Sequence, residues 1–76
     1  MNPGMELASA PLGTPLTLVG IDDPAHRRRL ATLGLREGAA FRCLTRTIGG
    51  GRIVLVGGSR IALSRDLVQQ LRAQAA

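Results

Sequence analysis

Four apolar, strand-favouring residues set between two glycine clusters constrain this chain more than any other feature. The segment spanning residues 49–58 reads GGGRIVLVGG. A run as short as Ile53-Val54-Leu55-Val56 is too brief for a stable helix and has the composition of a strand. Glycines at both ends supply the backbone freedom that tight reversals need. Ile53–Val56 is therefore read as the middle strand of two consecutive hairpins. The strand before it is placed at Ala40–Arg46, where Phe41, Cys43 and Thr45 alternate with Arg42, Leu44 and Arg46. The strand after it is placed at Arg60–Leu63. The middle strand is apolar on both faces. One face belongs to the core, and the other is to be covered by the terminal helix, by a partner or by a second copy of the chain.

The first half of the chain adds one more strand and one helix. Leu16–Ile21 reads as a strand, with Leu16 and Leu18 on one face and Gly20 marking a bend or bulge. Asp23-Pro24 is a helix start: the aspartate can cap, and proline suits the first helical position. The helix is expected to run to about Leu33, with Gly34 ending it and Leu35 folding back onto its last turn. Arg36-Glu37-Gly38 forms the next turn. Upstream, Leu7–Ala10 reads as one helical turn stopped by Pro11, Gly13-Thr14-Pro15 as a turn, and residues 1–6 as a loose extension. Downstream, Ser64 caps a short helix with Asp66 in its first turn and Leu67, Val68 and Leu71 as its buried stripe. The expected architecture is mainly β, one domain over residues 1–76. It is a small antiparallel barrel with a helix across one opening and a short C-terminal helix.

With 76 residues the chain buries roughly 60% of its unfolded surface. That leaves little interior for a deep substrate cleft. Phe41 is the single aromatic, so aliphatic side chains must fill the core. All ten cationic side chains are arginines, and the net charge is +5. A basic balance admits nucleic acid, anionic membrane or an acidic protein as partner without choosing among them. On a helix Arg27, Arg28 and Arg29 fan over the solvent half, whereas His26, Leu30 and Leu33 fall opposite as an inward stripe. With no aromatic set for base stacking and no zinc-finger or helix-turn-helix pattern, no specific nucleic-acid partner is expected.

Catalysis and metal binding find little support. Ser9, Ser59 and Ser64 sit in turn or cap contexts without a paired base. The glycine triplet lacks the lysine and hydroxyl residue of a phosphate-binding P-loop. His26 and Cys43 form no recognised ligand spacing, and Cys43 reads as a small core residue. Neither an enzyme, a metal site nor a cofactor is therefore expected. The lone cysteine excludes an intrachain disulfide, and no apolar run approaches the ~20 residues of a membrane helix. The expectation is a soluble, cytoplasmic chain that touches a membrane only through a partner.

Several blocks taken in order resemble the ferrous iron transport protein A (FeoA) family. They are Leu7 with Pro11-Leu12-Gly13, then Leu18-Val19-Gly20-Ile21, then residues 29–38 (RLATLGLREG), then Ile61-Ala62-Leu63-Ser64-Arg65. The resemblance runs from about Leu7 to Leu71, and its most specific parts are LATLGLREG and RIALSRD. It implies a fold like an SH3 barrel and a small cytoplasmic, non-enzymatic accessory protein. Such a protein accompanies FeoB, a membrane transporter with a GTPase domain, and modulates its assembly or nucleotide cycle. Leu30, Leu33, Gly34, Leu35 and Gly38 match the family's central motif and are the residues the resemblance nominates for partner binding. In two places the chain departs from the family. The hairpin that often carries proline and an acidic residue is Thr47-Ile48-Gly49-Gly50-Gly51 here, and Ala10 stands where a larger aliphatic is common. A similar barrel closes iron-dependent repressors of the DtxR type. The rival reading is thus a metal-responsive or nucleic-acid-binding regulatory domain, motivated by His26, Cys43 and the arginines.

Overall fold

The computed structural model describes residues 4–76. Six strands form one antiparallel sheet: β1 (Met5–Glu6), β2 (Leu16–Ile21), β3 (Ala40–Arg46), β4 (Arg52–Val56), β5 (Ser59–Leu63) and β6 (Leu71–Ala75). Their spatial order is β1-β6-β2-β3-β4-β5. A 3-10 turn at Leu7–Ser9 follows β1, helix α1 (Pro24–Thr32) joins β2 to β3, and helix α2 (Arg65–Gln70) joins β5 to β6.

The expected hairpins form where the glycines place them. β3, β4 and β5 pair in sequence, and Gly51 returns its carbonyl to the Thr47 amide at 2.9 Å. Gly51 is required by space: an added Cβ would lie 2.5 Å from the Leu63 carbonyl oxygen and 2.6 Å from Thr47 Oγ1. The β2 strand occupies the expected residues, and its register shifts between Leu18 and Gly20, the bulge that Gly20 signals.

Two strands are new. Leu71–Ala75 is central, paired with β1 on one side and β2 on the other. Its residues LRAQA have helix-favouring composition, so the sequence reading continues the buried stripe of the last helix through Leu71. The helix instead stops at Gln70, and alternation takes over: Leu71 and Ala73 are wholly buried while Arg72 and Gln74 face outward. Backbone pairing on both edges outweighs local preference. The loose start expected at residues 1–6 is also corrected, because Met5 and Glu6 form β1 against Ala73 and Arg72. Residues 1–3 lie outside the described part.

The core is aliphatic and continuous, built from Leu16, Leu18 and Ile21 of β2, Val54 and Val56 of β4, Leu63, Leu71 and Ala73, with Phe41 and Cys43 of β3. Leu7, Leu30, Leu35 and Val68 close it from the turns and helices. On the other face of β4, Ile53 and Leu55 are half-buried, flanked across the ladder by Thr45, Arg42, Ala62 and Arg60.

Candidate functional site

The central motif begins in α1. Asp23 caps the helix by accepting a hydrogen bond from the Ala25 amide at 2.9 Å, and Pro24 opens it. Leu30 is the one fully buried residue of this helix. The helix ends in paired reversed hydrogen bonds: the Leu35 amide donates to the Leu30 carbonyl at 3.0 Å, and the Gly34 amide to Ala31 at 3.0 Å. This closure needs a positive φ, and Gly34 adopts +90°. The return brings Leu35 into the core at 0% exposure. Gly38 then donates to the Leu18 carbonyl at 2.7 Å and joins the turn to β2.

The five motif residues therefore divide. Leu30 and Leu35 are core residues that clamp the helix end, whereas Leu33 is 49% exposed. That corrects the inward stripe expected for Leu33: the last helical turn tightens, and the side chain is carried out to solvent. His26 is half-buried and lies 3.7 Å from the Asp23 carboxylate at the helix surface. Cys43 is wholly buried. Among the described residues no group of three or more His, Cys, Asp or Glu is placed to hold a metal ion. Ser64 caps α2 through the Leu67 amide. No helix among the described residues is long and apolar enough to cross a membrane.

The arginines are not all surface charges. Arg27, Arg28 and Arg29 are exposed as expected, with Arg27 reaching Glu37 at 3.2 Å. Arg52 is different: it is 2% exposed. Its guanidinium donates to the Ala10 carbonyl at 2.7 Å and the Ala8 carbonyl at 2.6 Å, which fixes the 3-10 turn against β4. Sequence reading missed this role. The available signal was position: Arg52 precedes Val54 and Val56 at the same period-two spacing, on the face that enters the core.

Beside Arg52 lies a cleft of about 250 Å³. Its basic walls are Arg46 from the end of β3, Arg52 from the start of β4, and Arg65 from the first turn of α2. Thr47, the hairpin glycines Gly50 and Gly51, and Gln69 line the rest of it together with the apolar Ala8 and Val68. Among the described residues no carboxylate lines it.

Comparisons with known proteins agree on the family. The FeoA domain model matches residues 5–75. A crystal structure of the iron uptake regulatory protein FeoA superposes with a TM-score of 0.80 at 26% identity, covering 95% of this chain and 96% of that one. The solution structure of FeoA from Chlorobium tepidum gives a TM-score of 0.82 at 26% identity, covering 93% of this chain and 70% of that one. A manganese-dependent transcriptional repressor is similar over 100% of this chain but 44% of its own, with a TM-score of 0.85 at 22% identity. That likeness shows a shared fold. No curated protein matches the chain. The fold is the small, mainly β, SH3-like fold of these FeoA structures. Since the family match runs from the first residue of β1 to the last of β6, the chain belongs to the FeoA domain family.

Proposed function

We propose that this chain is a cytoplasmic, non-enzymatic accessory protein of ferrous iron uptake. It binds a FeoB-type membrane transporter and modulates its assembly or GTPase cycle. The observation that carries this reading is the family match over residues 5–75. The 26% identity to a protein described as an iron uptake regulatory protein supports it. The exposed part of the central motif supplies a contact surface of suitable chemistry: Leu33 stands out at the end of α1, between the Gly34 closure and the Gly38 turn. Leu30 and Leu35 act indirectly, by holding that turn in place.

Deletion of the chain is expected to lower ferrous uptake by cells that rely on the transporter. Restoring the wild-type chain recovers uptake, and Leu33→Asp recovers it incompletely despite normal folding. Unchanged uptake in the deletion strain contradicts the proposal.

A further inference from the structure

We propose that the cleft walled by Arg46, Arg52 and Arg65 binds the phosphoryl group of a small molecule. The inference is independent of the transporter reading, because it rests on charge and geometry at a different place in the fold. Three observations carry it.

The first is an uncompensated buried charge. Arg52 is 2% exposed, and its partners are two neutral carbonyls of the 3-10 turn. The ion pairs among the described residues are His26–Asp23, Arg27–Glu37 and Arg72–Asp22, none of which involves the cleft. A guanidinium removed from water without a counter-charge is costly, and an anion in the adjoining cleft offsets that cost.

The second is the ladder that brings the charges together. A register shift between Cys43 and Thr45 leaves Arg46 directly opposite Arg52. Without that bulge Thr45 would face Arg52, and Arg46 would turn to the other side of the sheet. Like charges directly opposed across an antiparallel pair are destabilising, so this arrangement suits a shared anion. Arg65 arrives from a third element. Its aliphatic stem packs on Gly50, where an added Cβ would meet it at 3.2 Å. Asp66, next in the chain, is exposed and does not line the cleft.

The third is the match of charge and size. Arginine forks suit phosphate oxygens, and a phosphate monoester carries about −1.5 to −2 charge with three acceptor oxygens. Arg46 and Arg65 offer exposed guanidiniums from two elements, and the buried Arg52 charge behind them adds to the field, a set that answers a phosphate better than one carboxylate. A cleft of about 250 Å³ lies below the ~300–1,000 Å³ of pockets that enclose whole ligands. It takes the phosphoryl end and leaves the rest of the molecule in solvent.

The test is a titration of the intact chain with inorganic phosphate, followed by amide and arginine side-chain NMR signals at constant ionic strength. Saturable shifts are expected at Gly50, Gly51 and Arg52 and at the Arg46 and Arg65 Nε–H groups. Arg46→Gln and Arg65→Gln each weaken binding by about tenfold while the chain stays folded, since both charges lie near the surface. Arg52→Leu is the less suitable variant because Arg52 also holds the 3-10 turn. Parallel titrations with adenosine monophosphate and ribose 5-phosphate identify the source. Equal affinity for all three supports recognition of the phosphoryl group alone, and tighter binding of a monoester supports it with added contacts. Acetate binding as tightly as phosphate overturns the proposal in favour of a carboxylate. Shifts that do not saturate, or that persist unchanged in both glutamine variants, overturn it outright.

Discussion

Arg52 shows how one residue can be misjudged by its type. Its charge places it with the surface arginines, but its position places it in the row of Val54 and Val56. Once inside, it satisfies the carbonyls of Ala8 and Ala10, which the 3-10 turn leaves free. Replacing it by leucine removes two charge-assisted hydrogen bonds, each net worth about 1.5–3 kcal/mol. Urea unfolding is therefore expected to show Arg52→Leu destabilised by about 3 kcal/mol, with partial compensation from the added apolar contact. Gly34 offers a contrasting case at the same scale. An alanine Cβ there would sit 3.6 Å from Val56 Cγ1, an ordinary contact, so space is not the obstacle. The obstacle is the φ of +90°. Gly34→Ala is expected to cost about 1–2 kcal/mol from backbone strain, read as a lower urea midpoint with an unchanged slope.

Elements were legible where local chemistry and tertiary context agree. Asp23-Pro24 and Gly34 bracket α1 because caps and reversed turns act within a few residues of themselves. The glycine clusters bracket β4 for the same reason. The β6 strand was not legible, because nothing inside LRAQA asks for an extended chain. Its strand conformation comes from β1 and β2 on either side, both supplied by the first 21 residues of the chain, some fifty or more positions away in sequence. The candidate sites divide likewise. The Leu30-to-Gly38 block was readable as a helix end and turn, but the exposure of Leu33 and the basic cleft depend on how distant segments meet. Because β6 is the central strand of its side of the sheet, removing residues 71–76 is expected to abolish cooperative unfolding altogether. A milder cut at the same element, Leu71→Ala, empties a fully buried site and is expected to cost about 2–5 kcal/mol by urea denaturation.

At the scale of the whole molecule, the fold is a small six-stranded sheet with two short helices whose interior is given over to packing. The aliphatic core takes the inward face of every strand, so recognition falls to what lies outside it. Among the described residues such features include Leu33 at the end of α1, Leu12, Ile48 fully exposed at the hairpin tip, the arginine face of α1 and the arginine cleft at the hairpin base. A net charge of +5 adds a general attraction for acidic partners that salt weakens. Under the proposed function, these surface features act by contact with a larger membrane protein. The most direct test of the proposed contact is co-purification of the tagged chain with a FeoB-type transporter from detergent-solubilised membranes, comparing wild type with Leu33→Asp. The predicted result is a complex that survives moderate salt with the wild-type chain and is much depleted with the variant, while both chains unfold at similar urea concentrations. Absence of the transporter from the wild-type eluate, with the folded chain in excess, would contradict the account.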